Sequence, residues 1–266
     1  MRGGEDVQAT VDNNVRVHAR GDAHLTVTLS RPQVHNALDG ELVDNLLRVF
    51  GRLPAGVRTV LLEGDGPSFC AGADLRGWQG GPGAPAPVAA ARLAELLALL
   101  RRVPAIVVAK VHGVAAGGGA GLVAACDVVV AARSATVRFP EVRLGLLPAV
   151  IAPYVARAIG PSRARYAMLT AAALDAEQAR EAGLVHRLAD DDQLDAAVDA
   201  VLRALWQGGP SALAESKWLL DQVADVGPAE RDALCQATLE RVRAGAEAAE
   251  GIRAFFAREQ PAWRQP

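Results

Sequence analysis

The feature that most restricts the fold is a change of period halfway along the chain. Up to about residue 139, short apolar runs of strand length alternate with segments of helical spacing. Beyond Pro140 nearly every apolar pattern is helical. Val15 and Val17 alternate with Arg16 and His18, and Leu25, Val27 and Leu29 alternate with threonines. Gly21-Asp22 supplies a turn between the two runs. Leu42, Leu46, Leu47, Val49 and Phe50 then follow helical spacing, with Asp39 as N-cap. Residues 59–62, 128–131 and 136–139 read as short strands, and residues 105–111 as a buried parallel strand. Helical spacing recurs over residues 89–102, 153–159, 162–170, 176–182, 194–206, 211–223 and 228–256. The pattern predicts an α/β core over residues 15–190, a helical C-terminal region over 191–266 and a flexible tail over 1–14. Residues 79–87, QGGPGAPAP, are too rich in Gly and Pro for regular structure and read as a loop or lid.

The 266 residues suit one large domain. Hydrophobic residues make up 51% and aromatics only 4%, so the core is Ala, Val and Leu. A net charge of −2 excludes a global basic footprint for nucleic acid. Lysine occurs only at Lys110 and Lys217, so positive charge is almost all arginine. Cys70, Cys126 and Cys235 are far apart and form no metal-like spacing with histidine, so neither a disulfide framework nor a structural metal is expected. The polar N-terminus lacks the apolar core of a signal peptide, and no apolar run has membrane length. A soluble cytoplasmic protein is the expectation.

Three segments could carry chemistry. Residues 69–75, FCAGADL, follow a strand and turn. Residues 111–121, VHGVAAGGGAG, lie between a buried strand and a helix. Small residues let backbone approach a ligand closely, and the free N–H groups of a helix N-terminus point outward with partial positive charge. Two such segments facing each other would place two N–H donors on one carbonyl oxygen. Tight turns and close helix–sheet packing are the plainer explanation of either segment alone. Neither is a nucleotide fingerprint: no GxGxxG opens the first helix, and no Lys-Ser/Thr follows Gly117-Gly118-Gly119. In the third segment, FPEVRLGLLP at 139–148, Glu141 stands among apolar residues. A carboxylate against apolar walls has a raised pKa and trades protons near neutrality. An exposed loop glutamate paired with Arg143 is the alternative.

Taken in order, Arg31-Pro32 with Asn36-Ala37-Leu38, FCAGADL, the HG…GGG run and PE..LG..P resemble the crotonase (enoyl-CoA hydratase/isomerase) superfamily. The resemblance runs from about residue 15 to beyond 256. It implies a spiral of ββα repeats in two roughly perpendicular sheets, with a helical C-terminal trimerisation region. The resulting trimers are often paired as hexamers. It implies an acyl thioester as substrate, usually of coenzyme A, and no metal or redox cofactor. On the matching positions the carbonyl donors are the amides of Ala73 and Gly118. Ala37, Ala71, Asp74, Leu75 and Gly117 are the implied substrate-binding positions.

Hydratases of the family usually carry two glutamates. The second falls on Glu141, whereas the first falls on Gly121, which has no side chain. The Gly-rich turn common after the equivalent of Pro148 is also replaced, by Ala149-Val150-Ile151-Ala152-Pro153-Tyr154. These departures resemble bacterial 3-methylglutaconyl-CoA hydratases and the dehydratases of polyketide β-branching, which act on acyl carrier protein thioesters. The implied activity is reversible hydration of an α,β-unsaturated acyl thioester. Isomerisation or decarboxylation through the same enolate, and a non-catalytic thioester-binding scaffold, are the alternatives.

Other residues carry plainer expectations. His112 reads as a strand-end hydrogen bonder, Cys70 as a buried thiol, and Asp127 as a helix-end acceptor. His35 reads as solvent-exposed and Tyr154 as a core residue. Arg138 and Arg143 flank Glu141, and either is a candidate fork for a substrate carboxylate.

Overall fold

The computed structural model describes residues 8–11, 14–78 and 90–264. Its strands are β1 (Gln8–Val11), β2 (Val15–Arg20), β3 (His24–Leu29), β4 (Thr59–Gly64), β5 (Ile106–Val111), β6 (Val114–Ala116), β7 (Val128–Ala132), β8 (Thr136–Arg138), β9 (Leu174–Asp175) and β10 (Arg187–Ala189). Its helices are α1 (Gly40–Phe50), α2 (Ala90–Arg102), α3 (Gly118–Ala125), α4 (Ala152–Ile159), α5 (Pro161–Thr170), α6 (Ala176–Ala182), α7 (Leu194–Trp206), α8 (Pro210–Gln222), α9 (Pro228–Arg243) and α10 (Ala246–Ala257).

Among the described residues one sheet has seven strands in the order β1-β2-β3-β4-β5-β7-β10, and a second has three, β6-β8-β9. β1, β2 and β3 are antiparallel, while β3, β4, β5, β7 and β10 run parallel. Burial follows the position in the sheet. β2 alternates buried and exposed residues at its start, whereas β5 is buried on both faces apart from Lys110, as expected of a central parallel strand. The chain advances through repeated ββα units, visible in β2-β3-α1, β5-β6-α3 and β7-β8-α4. β4 and β5 are parallel neighbours inside the sheet, so the segments leaving them emerge side by side.

α1 shows how the sequence fixes a unit. The Asp39 side chain caps it by accepting from Leu42 N at 2.9 Å, a contact worth about 1 kcal/mol. Leu42, Val43, Leu46, Leu47 and Phe50 fall on one face and are buried. Each such side chain contributes about 1.5–3 kcal/mol on burial.

Three expectations differ from the structure. Gln8–Val11 lie within the expected tail, yet they form β1 on β2, with Gln8 opposite His18 and Val11 opposite Val15. The second half is not wholly helical, because Arg187–Ala189 return to the large sheet and pair with Val130–Ala132. The helical trend over 228–256 is divided at Ala244 and Gly245, where Gly245 takes an extended conformation and starts α10. The expected loop at 79–87 lies outside the described residues.

Candidate active site

Beyond β4 and β5 the two small-residue segments are stitched together. Phe69 N donates to His112 O at 3.0 Å, Cys70 N to Val114 O at 3.1 Å, and Ala116 N to Cys70 O at 2.9 Å. The partner on the other side is Leu38. Its N–H donates to Gly72 O at 2.7 Å, and its carbonyl accepts from Asp74 N at 2.8 Å. In a trans peptide the N–H points away from the preceding C=O. The Ala73 N–H therefore points away from Leu38, toward the β6–α3 segment.

Gly72 and Gly117 bring these segments into contact, and both have positive φ, +92° and +49°. A Cβ on Gly72 would lie 2.7 Å from Ala116 O and 3.5 Å from Gly117 Cα. Only glycine tolerates that approach and that backbone. The peptides 72–73 and 117–118 thus start from adjoining Cα atoms. The flanking amides are engaged: Ala71 N with His35 O, Asp74 N with Leu38 O, and Gly117 N with Arg138 O. The amides of Ala73 and Gly118 have no acceptor among the described residues. Gly118 is also the first residue of α3, where a helix leaves its N–H groups unpaired.

Glu141 closes the arrangement. Pro140 leads into a 3-10 turn over Glu141–Leu144, and Gly145 ends it at φ 71°. Glu141 Oε1 lies 3.1 Å from where a Cβ on Gly117 would stand, so the carboxyl rests directly over the glycine. Its Oε2 is buried without a hydrogen-bond partner. Burial raises its pKa, opposed only by its own backbone N–H. The alternative pairing with Arg143 is absent among the described ion pairs, and Arg143 is exposed. Glu141 is therefore a part-buried acid with an unpaired oxygen, in the same cleft lining as Ala73 and Gly118.

These groups share a cleft of about 340 Å³. Leu38, Leu93, Leu144, Leu147, Val150 and Ile151 are among its apolar wall residues, and Glu141 is the sole ionisable residue in the described lining. Residues 79–89 carry no charged side chain either.

The implied donors Ala73 and Gly118 line the cleft, as do Ala71, Leu75 and Gly117 of the implied substrate positions. Ala37 and Asp74 do not. Ala37 is buried beside the cleft, and its carbonyl accepts from Arg31. Asp74 is a strut: hydrogen bonds from Arg76, aided by Arg31, hold its carboxyl far below the usual range. Asn36, buried at φ 55°, ties the same loops through Asp65 O, Ser68 O and Phe69 O. Gly121 is covered: a Cβ there would overlap Ile151 Cγ2 and lie 3.0 Å from Ile151 Cβ. Ala90 and Leu93, both on α2, are the described lining residues that no motif indicated, because the sequence marks that helix only by its leucine spacing.

The plainer expectations hold. His112 Nε2 bonds Gly66 O at 2.8 Å. Cys70 is buried, which pushes its thiol up to about 12. Asp127 accepts from Val107 N and pairs with buried Lys217 at 2.7 Å. His35 is exposed, and Tyr154 packs against the core. Neither Arg138 nor Arg143 lines the cleft.

Comparison with known proteins finds relatives along most of the chain. The family model for enoyl-CoA hydratase/isomerase matches residues 20–266. A putative enoyl-CoA hydratase of Thermus thermophilus is 33% identical over 240 residues, covering 88% of this chain and 95% of that protein. The solved structure of Pseudomonas aeruginosa AtuE superposes with a TM-score of 0.89 at 34% identity, covering 95% of this chain and 100% of its own. A putative enoyl-CoA hydratase from Thermobifida fusca, solved in complex with acetoacetyl-CoA, gives 0.79 at 30% identity, covering 86% and 94%.

Proposed function

Because the chain belongs to the enoyl-CoA hydratase/isomerase family, we propose that its cleft catalyses reversible hydration of an α,β-unsaturated acyl thioester, with Glu141 as the only proton carrier. The thioester oxygen accepts from Ala73 N–H and Gly118 N–H. In the dehydration direction Glu141 takes the α-proton: the Cα–H bond breaks, an O–H bond forms on the carboxyl, and the electron pair moves to the thioester oxygen. The enolate then expels the β-hydroxyl. The Cβ–O bond breaks, the Cα–Cβ double bond forms, and Glu141 returns its proton to the departing oxygen, which leaves as water. One carboxyl suffices because it ends each turnover as it began, provided the α-hydrogen and β-oxygen face it on the same side. Fixed N–H dipoles stabilise the growing charge without reorganising.

The observation that carries this reading is the buried, unpartnered Oε2 of Glu141, on a carboxyl whose Oε1 rests over Gly117. Its test is Glu141→Gln, expected to lower kcat by about 10² or more with little change in KM. Full turnover by that variant would overturn the assignment.

Coenzyme A is the proposed carrier, in line with the acetoacetyl-CoA held by the Thermobifida fusca protein. Matched coenzyme A and acyl carrier protein thioesters of one acyl group separate it from a biosynthetic dehydratase. A 3-methylglutaconyl group would bring a second carboxylate to a wall with no cation among the described residues, so we propose that this cleft takes it with that carboxylate turned to the mouth. Isomerisation is a second reading, favoured by Ile151 standing where a second carboxylate would hold water. Solvent deuterium at Cα with no hydroxyl gained or lost identifies it. Leu220, Leu239, Ile252, Phe255 and Phe256 are exposed on α8–α10, and we propose that they are covered in a homotrimer or hexamer, which sedimentation tests. Among the described residues no helix is long and apolar enough to cross a membrane, and no cluster of His, Cys, Asp and Glu could hold a metal ion.

A further inference from the structure

Gly121 lies inside α3 and is fully covered, with Leu97 Cδ1 on one side, 3.6 Å from where a Cβ would stand, and Ile151 on the other. Ile151 is held as firmly as the helix it abuts. Its carbonyl accepts from Val155 N at 3.0 Å, and the next residue, Ala152, donates to Pro148 O at 3.0 Å. Its side chain is only 2% exposed, yet it forms part of the cleft wall. A β-branched side chain on a fixed backbone has little freedom at χ1, so Cγ2 cannot swing aside. Any side chain at 121 must therefore displace Ile151. The raised pKa of Glu141 arises from desolvation, with no second carboxylate contributing. Two carboxylates sharing the cleft would titrate as a coupled pair.

We propose that Ile151 is a specificity-determining residue: its side chain fills the space through which a carboxylate on α3 would reach the substrate, and so confines the enzyme to reactions that one proton carrier can complete. This deepens the function proposed above and rests on it. Gly121 is a glycine because of Ile151, not because substrate backbone passes close to it. Ile151 in turn presents a hydrocarbon wall where a second acid would present an oxygen. Replacing the pair together should convert the cleft to a two-carboxylate site on an unchanged scaffold.

The experiment uses the full chain with three variants: Gly121→Glu, Ile151→Gly and the two combined. Thermal midpoints are measured, together with pH profiles of kcat/KM on crotonyl-CoA. Gly121→Glu alone is expected to lower Tm by several degrees and activity by at least tenfold. Adding Ile151→Gly should return Tm to that of Ile151→Gly alone. It should also add a second ionisation to the single one set by Glu141. A merely structural role for Ile151 would restore Tm without moving the pH profile. The proposal is overturned if Gly121→Glu is as stable as the parent, if the combined variant is no more stable than Gly121→Glu, or if its profile keeps a single ionisation. Failure of the proposed function reads differently: Glu141→Gln would then turn over normally while the stability coupling between positions 121 and 151 persists.

Discussion

Gly118→Pro replaces one proposed donor N–H with a ring methylene at the same place. Gly118 is the first residue of α3, preceded by Gly117 at φ 49° and ψ −121°. Proline is well tolerated at that helical position, because its missing N–H has no intrahelical acceptor and its fixed φ suits the first turn. A Cβ at 118 would meet Leu38 Cδ1 at 2.9 Å and Leu93 Cδ2 at 3.4 Å. Both are far ends of flexible side chains and can give. Gly118→Ala carries the same Cβ and keeps the N–H, so it isolates the effect of the Cβ. Loss of one such donor costs about 2.7–4 kcal/mol of transition-state stabilisation, or about 10²–10³ in kcat at 1.36 kcal/mol per decade. Initial rates on an enoyl thioester, followed by loss of its conjugated absorbance, should fall by less than tenfold for the alanine variant. The proline variant should fall by at least a further hundredfold, with Tm unchanged between the two. Equal rates for proline and alanine would refute the claim that the Gly118 N–H stabilises the enolate.

Other consequences follow from buried charge. The Glu141 pKa is raised by burial above its ordinary value of 4.5, so the folded state binds more protons than the unfolded state in the window above 4.5. Stability therefore falls as pH rises through that window. Glu141→Gln should accordingly be more stable than the parent at pH 8 and no more stable at pH 4, by thermal melts at both. The same ionisation should set the acid limb of the dehydration rate, at a pH above 4.5. Lys217 is buried against Asp127 and also donates to Leu100 O and Ala105 O, both at 2.9 Å. Lys217→Met strands the Asp127 carboxylate and should cost about 3–5 kcal/mol in urea unfolding, part of which Asp127→Asn should recover. In a panel of acyl groups, 3-methylcrotonyl thioester should show a higher kcat/KM than 3-methylglutaconyl thioester, because the described wall offers the second carboxylate no cation.

The sequence discloses what is encoded locally. The alternation through Leu25, Val27 and Leu29 marks β3, and the Asp39 cap with the leucines behind it marks α1. β10 escapes because Arg187–Ala189 are three residues whose strand state comes from pairing with β7. β1 escapes because QATV carries little apolar pattern and is held by β2. The same division runs through the site. Ala73, Gly118 and Glu141 are legible because small residues and an isolated carboxyl are unusual in their surroundings. The resemblance names positions without saying which way a side chain turns: Ala37 and Asp74 lie outside the cleft lining, and the Asp74 carboxyl is engaged by Arg31 and Arg76. Gly121 and the segment holding Ile151 both stand out in the sequence as departures, but that the two touch depends on the packing of the α4 N-terminus on α3, thirty residues apart in the chain.

The low polarity of the cleft links the two halves of the proposed chemistry. A carboxylate is a weak base beside the carbanion that an α-proton leaves behind, and two changes narrow that gap. Burial lifts Glu141, making it a stronger base once ionised. Two N–H donors at about 2.7–4 kcal/mol each stabilise the enolate, which is roughly four to six decades in the acidity of the α-carbon at 1.36 kcal/mol per decade. Both effects grow as water is excluded, since desolvation raises the carboxyl and strengthens each N–H contact to the oxyanion. A polar residue on the cleft wall would weaken both together. The leucines and Ile151 that form that wall therefore act on base strength and enolate stability at once. A change such as Ile151→Asn should depress turnover more than acyl-group affinity.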